Sequence, residues 1–178
     1  MKVFAILASV AALALASPFK RTVAQVETDL RNIATQVTTL DNNINAFPNS
    51  GGSLTQALAI HTAAQNLLTS VNSATTDVQG TTGVSESDGQ TIIGIVNGFE
   101  PTIIDALNAI ITKKPAFDAL PLGGVSALVK QDLGQLGTAT SNLEVALINQ
   151  APSDLKSQAQ SIQAAVDAAF AKAQAAYA

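Results

Sequence analysis

Few residues in this chain are able to do chemistry. There is no cysteine and a single histidine, His61, so a thiol nucleophile and a cysteine-based metal site are both excluded. A metal site would need His61 to find carboxylate partners, and no spacing supplies them. The imidazole is either a structural hydrogen-bonding group or a contact for a ligand's polar end. Ser153-Asp154-Leu155-Lys156 fits the S-x-x-K pattern of some acylating serine enzymes, but the partner motifs those enzymes need are missing, and Ser153 stands where a helix N-cap belongs. No phosphate-binding G-x-x-x-x-G-K-[ST] occurs. The 13 acidic residues are scattered singly, and no two recommend themselves as the paired carboxylates of a hydrolase. The residue types point away from an enzyme and toward recognition, with no metal or cofactor expected.

The rest of the composition sharpens this. The chain is 178 residues long, enough for one domain with a sizeable core, and is 47% hydrophobic but only 4% aromatic and 12% charged. Residues 1–16 read as a secretory signal: Lys2 gives the positive start, Val3 to Leu15 the apolar run, and Ala14-Leu15-Ala16 the small-residue cleavage site. Residues 17–21 then form a short propeptide ending in the dibasic pair Lys20-Arg21, which is either a processing site or a solvated charge pair. Cutting there leaves Thr22 as the first residue of a 22–178 domain; signal peptidase alone would leave Ser17. Without residues 1–21 the charge falls from −4 to −7, six basic residues against 13 acidic. Neither nucleic acid nor an anionic membrane surface suits such a chain. An exported protein without cysteine must be stabilised by packing alone.

The elements that position everything else have a helical period. Thr91 to Ile111 is the most apolar stretch after the leader, with Ile92, Val96, Phe99, Ile103, Leu107 and Ile110 on one line and Ile93, Ile104 and Ile111 beside it. That arc covers about half the circumference, wider than the roughly 100° stripe of a surface helix, so several neighbours must cover it. Glu100, Pro101 and Asp105 argue against a membrane span. Pro101 should kink this central helix or split it, Glu100 being either a buried acid or turned to solvent by the kink. Gly94 and Gly98 on the opposite face allow close approach of a backbone or ordinary small-residue packing. Lys113 and Lys114 suit its negative end, with Pro115 as the stop.

Four further segments flank it. Val23 to Ala46 carries an alternating three-four stripe of Val23, Val26, Leu30, Ile33, Val37, Leu40 and Ile44. After Pro48-Asn49-Ser50-Gly51-Gly52, Ser53 caps a segment from Leu54 to Val78 with a wide apolar arc that includes His61. A polar loop, residues 80–89, offers Ser85 or Ser87 as the cap of the central helix. Beyond a connector holding Phe117, Leu120 and Leu122 comes a leucine-rich segment from Val125, where Gly134 and Gly137 threaten a bend or fraying. Ser153-Asp154 opens the last helix, with its alanine-rich seam. The expected fold is all-α, a five-helix up-and-down bundle with a kinked central helix.

Together these features resemble the fungal hydrophobic surface-binding protein A family, which includes lipid-binding cell-wall mannoproteins of moulds. The residues that carry the resemblance are the leader with its dibasic pair, the Val26…Ile33…Val37…Leu40 helix, Pro101-Thr102-Ile103-Ile104 to Leu107, Lys113-Lys114 with Phe117, and the leucine-rich fourth segment. The resemblance implies a secreted, non-catalytic helical bundle that encloses fatty acids or other lipids or adsorbs to hydrophobic surfaces, in some members beside a secreted polyester-degrading hydrolase. The chain ends at Ala176-Tyr177-Ala178 without the stalk and anchor signal of the anchored mannoproteins, so a freely secreted, at most loosely wall-associated form is expected. The alternative is a structural cell-wall mannoprotein or interaction module without a small-molecule ligand. If a lipid is held inside, its acyl chain is expected against Leu58, Leu68, Ile92, Val96, Phe99, Ile103 and Leu107. His61 or a nearby hydroxyl would then meet the carboxylate.

Overall fold

The computed structural model describes residues 22–121 and 123–178. The expected leader, propeptide and dibasic pair lie outside the described residues, as does Leu122. Five helices account for most of the chain: α1 (Val23–Ala46), α2 (Leu54–Gln79), α3 (Glu86–Asp118), α4 (Val125–Gln150) and α5 (Lys156–Ala176). No strand occurs among the described residues.

Local chemistry sets most of the starts. Thr22 Oγ1 accepts the Gln25 N–H at 3.2 Å and begins α1. Ser53 with Gln56, and Ser85 with Asp88, form reciprocal capping boxes at the starts of α2 and α3, each worth about 1 kcal/mol. The last helix departs from expectation. Ser153 is not its cap: α5 starts at Lys156 behind Leu155 and has no side-chain cap. Packing wins over capping there. Pro152 and Leu155 lie so close to α3 that a Cβ on Gly89 would stand 2.7 Å from Leu155 Cδ1.

Of the two prolines in α3, only Pro115 departs from its sequence reading. α3 continues through Pro101 without splitting, and it does not stop at Pro115 but runs on to Asp118. The last turn persists because Ala116 and Phe117 are buried, and the Phe117 ring lies 4.4 Å from that of Phe47. Such a pair is worth about 0.5–1.5 kcal/mol beyond its buried area. Lys113 and Lys114 therefore sit before the last turn rather than at the helix end. Lys113 is buried with its Nζ 2.8 Å from Asn49 Oδ1, and Lys114 pairs with Asp118. α4 runs unbroken through Gly134 and Gly137. A Cβ at Gly137 would stand 2.7 Å from Gln174 Nε2, so this glycine serves the approach of α5. Gly94 and Gly98 face open space, with no neighbouring backbone against them.

The connections have five to seven residues, too short for anything but reversal of direction between successive helices. Lateral order is not chain order. α1 packs on α2 and α3, α2 on α4, α4 on α5, and α5 on α3, which closes a ring. α3 and α4 touch only sparsely across it. Each helix turns one face inward: on α2 the buried residues Ala57, Ile60, Ala64, Leu67, Val71, Ala74 and Val78 follow a strict three-four spacing. All five aromatic side chains after residue 22, Phe47, Phe99, Phe117, Phe170 and Tyr177, are buried. The Tyr177 hydroxyl donates to the Ile110 carbonyl at 2.7 Å and ties the end of α5 to α3.

Candidate functional site

A ring of five helices with small residues on its inward faces cannot close completely, and two apolar cavities remain along its axis. The first, about 90 Å³, is walled by the start of α1 (Val23, Val26, Leu30), the end of α2 (Val78), the first half of α3 (Gly89 to Ile103), the end of α4 (Thr140, Glu144, Leu147) and the start of α5 (Ala159, Ile162, Val166). The second, about 100 Å³, lies between the opposite ends: Ile33 to Ile44, Ile60 to Val71, Phe99 to Ile110, Val129 to Thr140, and Phe170. Phe99, Ile103 and Thr140 belong to both walls and form the partition between them. Along α3 the two walls extend about 21 Å and 17 Å at 1.5 Å per residue.

Among the described residues, ionisable groups are almost absent from these walls, and no lysine, arginine or histidine lines either cavity. One acid faces each. In the second, Asp132 is buried and fully engaged. His61 Nδ1 donates to its Oδ2 at 2.8 Å, and Gln65 Nε2 donates to its Oδ1 at 2.8 Å. In the first, Glu144 is half-buried, and its Oε2 is shielded from solvent without a hydrogen-bond partner. Burial first, and then the Asp167 carboxylate, push the Glu144 carboxyl from its ordinary 4.5 up to about 8.

The residues expected to hold an acyl chain divide into two groups. Ile92 and Val96 line the first cavity, Leu107 the second, and Phe99 and Ile103 both. Leu58, Leu68 and His61 line neither. Leu58 is 46% exposed on the outer side of α2, and Leu68 packs at the margin of the core. His61 is taken by Asp132, so it has the structural partner that the sequence did not reveal. The α2 arc looked wide because alanines were not weighed. α2 turns Ala57, Ala64 and Ala74 inward among Ile60, Leu67, Val71 and Val78, and Leu58 and Leu68 lie beside that face. Asp132 and Glu144 were missed altogether. Asp132 has a readable signal, since it sits in the α4 stripe Val125, Val129, Asp132, Leu136, Ala139, Leu143, Ala146. Glu144 follows Thr140 by one turn on the adjoining face.

The family model for hydrophobic surface binding protein A matches residues 23–149. The chain belongs to this family. As a member of the hydrophobic surface binding protein A family, it is 27% identical over 165 residues to cell wall mannoprotein 1 of Aspergillus flavus, a match covering 92% of this chain and 58% of that protein. The chain thus spans little more than half the length of that relative. It is also similar to AFMP4P, whose crystal structure is a complex with palmitic acid, at 33% identity and a TM-score of 0.81 over 88% of this chain and 99% of that one. Ligand binding domain 1 of the Penicillium marneffei MP1 protein, complexed with arachidonic acids, matches at 21% identity and a TM-score of 0.78 over 88% and 99% of the two chains. That second likeness is one of fold alone. Among the described residues of this family member, no group of His, Cys, Asp or Glu could hold a metal ion, and no helix is long and apolar enough to cross a membrane.

Proposed function

We propose that this protein binds long-chain fatty acids in the interior of its helical ring, as an extracellular or cell-wall-associated, non-catalytic carrier. The observation that carries the reading is the pair of apolar cavities laid end to end along α3. Half the hydrocarbon core of a bilayer is about 15 Å thick, so either wall is long enough for one acyl chain bent as it is in a membrane. AFMP4P, similar over most of this chain, is a complex with palmitic acid, which supports the same ligand class here. Extracellular placement is supported by the mannoprotein relative.

The energetics favour occupation. Two empty cavities of about 90 and 100 Å³ cost roughly 4–5 kcal/mol of lost packing together. Burying about six methylenes at some 0.8 kcal/mol each offsets that. Each space is nevertheless smaller than the roughly 150 Å³ apolar cavity that takes up benzene. A long chain enters by spreading the helices, and the seams of α5 with α3 and α4, thinner than the other three sides, are where the ring yields most easily. The acyl chain then lies against Ile92, Val96, Phe99, Ile103 and, in the second cavity, Leu107.

Adsorption to hydrophobic surfaces is the second reading, favoured by the family's name. Among the described residues, Leu58 and Val145 are the exposed large hydrophobics, one on α2 and one on α4, so an adsorbing form would present the inner faces of an opened ring rather than its closed exterior. Recruitment of a secreted polyester-degrading hydrolase belongs to this second reading. The two readings separate on delipidated protein titrated with palmitic acid by calorimetry. Saturable binding in solution is expected, and Val96→Trp or Ile103→Trp, while remaining folded, should weaken it by roughly 100-fold, the loss of about four buried methylenes. Absence of binding by the unsubstituted protein would leave adsorption as the function.

A further inference from the structure

The first cavity poses a chemical problem that its apolar wall does not solve. A fatty acid brings a carboxylate, yet the described residues of the wall supply no cation to receive it, and the one ionisable side chain among them is another acid. Glu144 is also the side chain with an unused polar atom. Its Oε2 is buried and unpartnered, which is costly for a carboxyl group unless something else enters the site. Thr140, one helical turn earlier, and Gln163 from α5 stand on the same wall. The polar part of this cavity is therefore a small cluster on the α4–α5 seam that begins at the partition with Thr140, and the apolar line of α3 leads away from it through Val96 and Ile92 to Gly89.

We propose that Glu144 is the head-group contact of the first cavity, its carboxyl O–H donating to the carboxylate of a bound long-chain fatty acid so that the two acids share one proton. The proposal rests on the fatty-acid reading above and adds to it the residue and the protonation state. Two carboxyl groups in contact cannot both ionise, but one proton between them makes a short, charge-assisted hydrogen bond carrying a single negative charge. Thr140 and Gln163 offer donors to the remaining oxygens. The charges described around the pair are consistent with this arrangement. Asp167 faces Glu144 from α5 and is acidic, and among the described residues the cavity walls from α1, α2 and α3 carry no ionisable group.

The consequence is a pH limit on binding. The Glu144 carboxyl, pushed up to about 8 by burial and Asp167, holds its proton at pH 6. At pH 9 only about one-tenth of it remains protonated, which weakens palmitic acid binding about tenfold. A fatty alcohol, which donates its own hydroxyl proton, has no such loss.

The test is calorimetric titration of the delipidated full chain with palmitic acid and with 1-hexadecanol at pH 6 and pH 9. Palmitic acid should weaken about tenfold between the two, hexadecanol should not, and Glu144→Gln should abolish the palmitic acid difference. Equal palmitic acid affinity at both pH values, or a pH loss that persists in Glu144→Gln, overturns the proposal while leaving fatty-acid binding intact. No binding of either ligand at pH 6 overturns the fatty-acid reading itself. Should Glu144→Gln fail to fold, the carboxyl carbon resonance of ¹³C-labelled palmitic acid bound to the unsubstituted protein decides. It should titrate between pH 6 and 9, and a flat resonance overturns proton sharing.

Discussion

Asp132 and Glu144 stand on the same helix about three turns apart, each facing an apolar cavity, and the fold treats them oppositely. Asp132 is buried between His61 and Gln65 of α2, with both oxygens accepting hydrogen bonds. It holds α4 to α2 and has nothing left to offer a ligand. Glu144 lies where α4 meets α5, whose only nearby charge is another acid, and one of its oxygens has no partner. The same carboxyl group is a fastening at one end of the ring and an open valence at the other. Whether a buried polar group serves stability or function turns on whether the fold has already satisfied it.

This contrast can be broken most forcefully at the partition. Phe99→Ala removes a buried ring shared by both cavities and should cost about 3–5 kcal/mol in chemical denaturation. If the variant folds, the two spaces become one, and its preference should move from palmitic acid toward the longer lignoceric acid. An unchanged chain-length preference would mean that the cavities already communicate and that their separation has no functional weight.

A smaller effect is expected from the two acids themselves. Asp132→Ala removes the acceptor for His61 and Gln65 and should destabilise the fold by roughly 1.5–3 kcal/mol, the worth of hydrogen bonds to a charged group. Glu144→Gln should lose no stability at pH 8, because it deletes an unsatisfied acid rather than a fastening. Urea denaturation of the two variants side by side measures the contrast. Equal losses would place Glu144 in the scaffold along with Asp132.

The mildest effect is in the pH dependence of unfolding. A carboxyl raised from 4.5 to about 8 in the folded state binds its proton more tightly folded than unfolded. Its contribution to stability is therefore complete below pH 4.5 and declines as pH rises to about 8. Thermal melts of the ligand-free protein should show that decline, and Glu144→Gln should remove this component of it. A profile unaffected by the substitution would mean that Glu144 titrates normally.

Much of the fold was legible because helix-forming signals are local. The α1 stripe named the six residues that α1 buries, and Ser53 and Ser85 cap the helices they were expected to cap. The errors arose where a distant contact outweighed a local rule: Ser153 lost its cap role to the packing of Leu155 near Gly89, and Pro115 lost its stop to the burial of Phe117 against Phe47. The α3 lining of the cavities was legible and the α2 lining was not: α3 lines them with large residues, whereas α2 intersperses Ala57, Ala64 and Ala74 among its large inward residues and puts Leu58 in solvent.

The sequence by itself determined five helices, their approximate ends and the apolar line of α3, because periodicity and caps are properties of neighbours along the chain. The tertiary structure decided what those helices enclose. Ring order, with α4 rather than α3 beside α2, brings Asp132 to His61 across 71 residues. The same order leaves Glu144 facing Asp167, with no cation lining its cavity among the described residues. A hydrogen-bond partner far away in the chain has no signature in the spacing of either residue, so the sequence could not separate the acid that fastens from the acid that waits.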